Sequence, residues 1–497
     1  MLKKTVLTTG LAAALIAPPF SVAAETREVV QLRAQVKAMQ DKYDSRLQAL
    51  EKRLQESEAR VEAANAAATA TPPIGPATAA IPASSNGSNA RNGAATSAPD
   101  DMVPIPLAAA NPGALPAGGS ASFNPAVSLI LGGGYTNLSQ DPNRYRIQGF
   151  VRGGDIGPGR RGFNLGESEL TLAASIDPRF SGQMSLSLAP DDTVSVEEAF
   201  FQSQGLASGV NLKAGRFLSS VGYLNGQHAH TWDFVDAPLA YQAFFGGQFK
   251  AEGVQLRWLA PTERFTEIGI ELGRGTTFPG NDRNRNGIGS AALFAHVGDD
   301  IGESASYRAG LSYLHAGAAG RGFDDANAAG AALTNAFTGN SGTLVADAIY
   351  KWSPNGNPVQ TNLKLQGEYF RRTDRGSLTQ DLFGAAESGS YRNTQSGWYL
   401  QGVFQFTAGW RAGLRHDRLD AGSGSFGAGL DTANFAQLAQ LAPYHPRRTT
   451  AMIDYSPSEF SRFRLQYAQD RARPEATDHQ IFLQYIMSLG AHGAHTF

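Results

Sequence analysis

The chain has 497 residues, no cysteine and a formal net charge of −2. Lack of cysteine excludes disulfides and thiolate metal centres, and the near-neutral balance argues against nucleic-acid binding by phosphate neutralisation. The length accommodates either several soluble domains or one large barrel.

Met1 to Ala24 places Lys3 and Lys4 before an apolar run through Ala12 to Ile16 and ends in Ser21-Val22-Ala23-Ala24. That order is a secretory signal peptide with cleavage after Ala24. No later stretch approaches ~20 consecutive apolar residues, so no membrane helix is expected. Residues 25–64 read as a short α-helical coiled coil: Val29, Leu32, Val36, Met39 and Tyr43 step by three and four, and Leu47, Leu50, Leu54, Ser57 and Val61 resume the rhythm. The two fours from Met39 to Leu47 form a stutter, which locally relaxes the supercoil. A lone amphipathic helix lying on a surface is the alternative. Residues 65–123 are rich in Ala, Pro, Ser, Asn and Gly and nearly free of charge. Such a stretch buries too little apolar surface to fold, so a flexible linker is expected.

From 124 to 497 short amphipathic segments repeat, and their connections alternate between tight and long. Tight joints fall at Asp177-Pro178-Arg179, Gly205–Gly209, Ala260–Arg264, Gly298–Glu303, Ser353–Pro358, Thr407–Gly409 and Ser456–Glu459. Longer segments fall at Ser219–Gln248, Ala316–Gly342, Thr373–Thr394 and Asp420–Pro446, while Ala189–Thr193 is short where a long one is expected. The alternation predicts an all-β fold, an antiparallel transmembrane barrel of ~16 strands with turns at one end and loops at the other. A soluble β-sandwich would not demand it.

The faces separate cleanly in several strands. Phe463, Leu465 and Tyr467 oppose Arg462, Arg464 and Gln466; Trp398, Leu400, Phe404 and Phe406 oppose Tyr399, Gln401 and Gln405. Leu344, Ala346, Ala348, Tyr350 and Trp352 oppose Asp347 and Lys351, and Leu363, Leu365 and Tyr369 oppose Lys364, Gln366 and Glu368. Trp258, Trp352, Tyr369, Trp398 and Trp410 are expected near strand ends, at the membrane interface. At the C-terminus Ile481, Leu483, Tyr485, Met487, Leu489, Ala491, Gly493, His495 and Phe497 share one parity, resembling the closing strand of a bacterial outer-membrane barrel.

If the apolar face meets lipid, the charged face lines a water-filled lumen. The cations expected there are Lys213, Arg257, Arg308, Lys351, Lys364, Arg411, Arg415, Arg462 and Arg464. The anions are Glu167, Glu169, Glu197, Glu267, Glu271, Asp347, Glu368, Asp417 and Asp454, equal in number, so no strong ion selectivity is predicted. Adjacent Glu197 and Glu198 are expected on opposite faces of one strand, which excludes their cooperation as an acid/base pair. No nucleophile elbow, phosphate loop or metalloprotease motif is present, so no enzymatic activity is expected.

The third long connection, 219–248, carries His228, His230, Asp233, Asp236 and Tyr241. By position it corresponds to the loop that folds inward and narrows general porins, and these five residues are the candidate constriction. A His-x-His beside two aspartates could bind zinc; the alternative is that the imidazoles and carboxylates hydrogen-bond one another and brace the loop. Without a third ligand of known geometry no metal is assigned, and no cofactor is expected. Asn281-Asp282-Arg283-Asn284-Arg285-Asn286-Gly287 imitates the start of a calcium loop, but Leu293 stands at the twelfth position, so a surface turn is expected.

Val196-Glu197-Glu198-Ala199-Phe200-Phe201 followed by Leu212-Lys213-Ala214-Gly215-Arg216-Phe217 resembles the strand four to five hairpin of the phosphate-selective porin O and P family. The resemblance implies a signal peptide, a coiled-coil stretch and a sixteen-stranded trimeric barrel in the outer membrane of a Gram-negative bacterium. After Phe217, Leu218-Ser219-Ser220-Val221-Gly222 replaces the family's usual turn, and no dense row of cations is present. The expected function is therefore passive diffusion of small hydrophilic solutes or ions. Its partners are outer-membrane lipid and two further copies of the chain, with no nucleic acid. The alternatives are a barrel-anchored tether and a substrate-specific transporter of divalent metal or anions. An energy-coupled receptor would need a plug domain where the linker lies.

Overall fold

The computed structural model describes residues 125–490, apart from 155, 190–192, 205, 328, 431, 433–434 and 436–437. The predicted signal peptide, coiled coil and linker, and the end of the last strand at 491–497 with Phe497, lie outside the described residues. Among the described residues no helix is long and apolar enough to cross a membrane.

All strands belong to one sheet of eighteen, two of them the short pieces Gly162–Asn164 and Ser425–Phe426. The remaining sixteen form a closed antiparallel barrel. They are β1 (Ala126–Leu138), β2 (Ser168–Ser175), β3 (Phe180–Leu188), β4 (Val194–Ser203), β5 (Val210–Leu218), β6 (Lys250–Leu259), β7 (Phe265–Gly273) and β8 (Ser290–Ile301). Then follow β9 (Ala305–Ala326), β10 (Ala332–Trp352), β11 (Asn362–Gln380), β12 (Glu387–Thr407), β13 (Trp410–Asp420), β14 (Arg447–Ser458), β15 (Ser461–Arg473) and β16 (Ala476–Gly490). Closure comes where β1 pairs with β2 (Ile130↔Glu169) on one side and with β16 (Leu131↔Met487) on the other. Closing the sheet leaves no row of unpaired backbone groups, which is what permits a β-protein to sit in hydrocarbon.

The wall is uneven. β2 to β7 have 8 to 10 residues each, whereas β9 to β12 have 19 to 22. The segments 316–342 and 373–394, expected as long loops, are instead mostly continuations of these strands. Gly and Asn in them suggested loops. Their ladders nevertheless continue in register, as in Asn340↔Arg375 and Asp374↔Asn393.

Alternation sorts the side chains as expected. Leu256, Ile270, Leu311, Leu400, Leu414, Leu465 and Leu483 face outward and are exposed. Their partners in the other parity, among them Gln255, Gln401, Arg464 and Gln466, are buried inside. Trp258, Trp352 and Trp410 lie at strand ends near the short turns, but Tyr369 and Trp398 pair with each other in mid-strand. Beyond them the outward positions turn polar, with Arg371, Arg375 and Arg392 exposed. The two aromatics thus mark the upper edge of the apolar band, and the tall strands rise past it. From Trp352 to Leu344 the band covers about 27 Å of strand at ~3.4 Å per residue, or ~20 Å after a tilt near 40°.

Inside, the long connections fold down onto one another. Tyr145, Ile147 and Phe150 from 139–167 pack with Phe244, Phe245 and Tyr241 of the helix α1 (Leu239–Phe245). The Gln440 side chain, from 421–446, donates to the carbonyls of Ile147 and Phe150. Gly246 ends α1 at φ 67°, its N–H donating back to Gln242, and a Cβ there would lie 2.1 Å from the Gly153 carbonyl oxygen. Only glycine meets both demands. Gly246→Val should therefore lower stability by about 1–3 kcal/mol, read as a shift in the urea midpoint of the folded protein in detergent.

Candidate functional site

The connection between β5 and β6, residues 219–249, runs through the barrel interior and touches wall on all sides. Near its start Ser219 Oγ and the Ser220 N–H donate to Glu271 on β7, at 2.6 and 2.8 Å. The Tyr223 and Leu224 N–H groups donate to Glu368 on β11, at 3.1 and 3.0 Å. Hydroxyls of Tyr241 (2.8 Å) and Tyr399 (2.6 Å) donate to the same carboxylate. Asn225 bonds the loop's own base, donating to the Ser219 and Phe249 carbonyls and accepting from the Phe249 N–H.

The far side is held by charge. Asp233 accepts from Lys364 Nζ at 3.0 Å, Arg411 Nη1 at 3.2 Å and Gln401 Nε2 at 3.2 Å. Asp236 meets Arg415 Nη2 at 2.9 Å, Arg448 Nη1 at 2.6 Å and Gln466 Nε2 at 2.9 Å. Arg448 Nη2 also donates to the Ala237 carbonyl, and Arg464 Nη2 to that of Trp232. The Leu239 N–H donates to Asp417 at 2.9 Å. Burial alone would raise the Asp236 carboxyl, but Arg448 and then Arg415 outweigh it and hold the group below the usual carboxylate range. At Asp233 burial is outweighed in the same way by Lys364 and Arg411.

The two imidazoles lie 5.7 Å apart. Both form ion pairs with wall glutamates rather than with Asp233 or Asp236, which differs from the expected bracing of histidines by the loop's own carboxylates. They point to the opposite wall. Glu169 Oε2 on β2 lies 3.0 Å from His228 Nδ1 and 3.2 Å from His230 Nδ1. Glu197 Oε2 lies 3.1 Å from His228 Nδ1, and Glu198 Oε2 3.1 Å from His228 Nε2. Both neighbouring glutamates thus face inward, against the strict alternation expected for them. The cause is a β-bulge: β3 pairs Ser185↔Glu198 but Leu186↔Val196, so Glu197 is an extra residue that turns the strand. No alternation count reveals such an insertion.

The expected open lumen is not what surrounds the inward charges. Lys213, Arg415, Arg464 and Glu368 are each at most 3% exposed, and the folded-in loop bonds the last three of them. Lys213 rests over the Phe200 ring at 4.2 Å. Arg257, Arg308, Lys351, Lys364, Arg411 and Arg462 remain half-buried, all within a few residues of the short turns. Arg257 pairs with Glu267, Arg308 with Asp347, and Arg411 with Asp454 as well as Asp233. Lys364 pairs with Asp233, so four of these six cations are matched by inward carboxylates. The short turns at this end add Glu263, Asp299, Asp300, Glu303 and Glu459. In the Asn281–Gly287 segment Asp282 accepts from Arg274 at 3.1 Å and from its own turn's Asn284 N–H at 3.0 Å, as in an ordinary turn.

No family model matches the chain. An uncharacterized protein of Aquifex aeolicus is 28% identical over 408 residues, covering 76% of this chain and 80% of that protein. Among solved structures, a loop-deletion mutant of OmpT, an outer membrane protein of Vibrio cholerae, superposes with a TM-score of 0.46 at 8% identity, over 74% of this chain and 99% of that one. The outer membrane channel DcaP of Acinetobacter baumannii gives 0.43 at 10%, over 74% and 97%. An anion-selective porin from Comamonas acidovorans gives 0.44 at 11%, over 74% and 99%.

Asp236→Ala removes the shared partner of two buried guanidinium groups, a loss of about 3–5 kcal/mol. Chymotrypsin should then cut inside 219–249, which carries Trp232, Phe234 and Tyr241, while the barrel stays intact on a gel. Because both aspartyl carboxyls sit below their ordinary values, their contribution is complete above the unfolded carboxylate range and is lost as pH falls below ~4. Hydrogen exchange across 233–240 should accordingly stay slow at pH 5 and accelerate only in stronger acid.

Proposed function

We propose that the chain is a narrow-bore porin of the Gram-negative outer membrane, passing small hydrophilic solutes or ions, with residues 219–249 as its constriction. The observation that carries this reading is the combination of an apolar outer band on a closed barrel with one long connection pinned across the interior. Water would not tolerate the band; lipid requires it. On this reading His228, His230, Asp233, Asp236 and Tyr241 hold the constriction rather than line it, since each already bonds to the wall. The half-buried cations Arg257, Arg308, Lys364, Arg411 and Arg462, with Lys351, shape the potential at the turn-side mouth together with their carboxylate partners. Lys213, Glu368, Arg415 and Arg464 are structural. A homotrimer is the assembly proposed, with the coiled coil on the periplasmic side.

The density of the interior favours a second reading, a barrel that anchors the N-terminal segments and conducts little. Planar-bilayer recording separates the two. Wild-type protein should open in steps of three, with a reversal potential in a salt gradient that gives the ion preference. Replacing 223–247 by a short Gly/Ser turn, which the β5–β6 pairing permits, should raise conductance several-fold. Lys351→Glu with Lys364→Glu should shift that potential towards cation preference. A wild type that is silent while the loop-deleted form conducts supports the anchor; equal conductance of the two removes the loop as the constriction.

A further inference from the structure

We propose that Glu169, His228, His230 and Glu197 form a binding site for a zinc-like divalent cation that staples the inward loop to the barrel wall. Glu169, His228 and His230 each offer a donor atom, and these three atoms lie within 4.8 Å of one another. The His–Glu169 separations of 3.0 and 3.2 Å, and the 3.1 Å from His228 Nδ1 to Glu197, need only open slightly. Four donors around zinc at ~2.0–2.2 Å stand roughly 3.3–3.6 Å apart. Two nitrogens and two carboxylate oxygens are a donor set zinc accepts, and one in which calcium would be poorly served.

Two independent features point the same way. The bulge at Glu197 brings a second wall carboxylate to the imidazole, a deviation that regular pairing would have avoided. The outer nitrogen of His228 faces Glu198 at 3.1 Å. Metal-bound histidines characteristically donate their other ring N–H to a carboxylate, which fixes tautomer and ring orientation. Around the two imidazoles stand the three carboxylates Glu169, Glu197 and Glu198 and two cations, Lys250 at 3.3 Å from Glu197 and Arg462, which donates to the His230 carbonyl. A dication answers that surplus of negative charge.

This inference stands apart from whether the barrel conducts. Isothermal titration of tag-free, detergent-folded full-length protein with zinc chloride should show one zinc per chain at micromolar affinity or tighter. His228→Ala and His230→Gln should each weaken binding at least tenfold. Glu198→Gln, which removes no ligand, should weaken it by about 10–100-fold. His445→Ala, at an exposed histidine beside Asp420, should leave it unchanged. Folding is checked by heat-modifiable gel mobility, and the conservative Glu169→Gln substitutes where His228→Ala does not fold. Absence of stoichiometric binding to the wild type, or unaltered affinity in the folded His230→Gln or Glu169→Gln protein, overturns the site. Displacement of zinc by a tenfold excess of calcium overturns the nitrogen ligation.

Discussion

The interior is organised around the ion pairs that Asp233 and Asp236 make with Lys364, Arg411, Arg415 and Arg448. Four cations on three different strands would repel one another across a bare lumen. Two aspartates on one crossing segment satisfy all of them and are satisfied in return. The segment's backbone joins the same network, through Ala237, Leu239 and Trp232. With the chain so fixed, α1 is delivered against Phe370 and Tyr399, where Phe244 stacks on Phe370 at 5.6 Å. The apolar cluster and the charged one are therefore a single construction: neither side of the loop reaches its place without the other.

Much of the barrel was legible because its rule is local. Polarity alternates with period two, tight turns carry Asp, Pro and Gly, and both are visible without any partner. Strand β3 matches its expected bounds at Phe180–Leu188, and the third connection falls where counting placed it. The heights of β9 to β12 were hidden because both faces of a strand beyond the apolar band are polar. There a strand and a loop have the same composition, and only the ladder tells them apart.

The site was legible in its residues and not in its pairings. His228, His230, Asp233 and Asp236 stood out, yet their nearness in sequence suggested contacts between imidazoles and aspartates that the fold does not make. A 3-10 turn at Ala229–Thr231 and irregular chain after it carry the two pairs to different walls. The histidines go to β2 and β4 while the aspartates go to β11, β13 and β14. Arg448 carried no signal at all, being one of two consecutive arginines at a strand start. Glu198 was misplaced by the bulge, whose trace is a register shift against β3 and therefore a property of two strands together.

The uneven wall divides the molecule into parts with different freedom to change. Below Tyr369 and Trp398 the outward positions form the apolar band and the inward ones face the packed interior. Above them, on the exterior of β9 to β12, Thr338, Asn340, Arg371, Arg375 and Arg392 are exposed and contribute side chains to no core. Backbone pairing there does not depend on which side chain is carried. That parapet can be rewritten from one lineage to the next at almost no cost in folding. In the outer-membrane orientation proposed above it is also the surface that an antibody or a phage would meet, so the part of the protein most open to attack would be the part most able to alter its appearance.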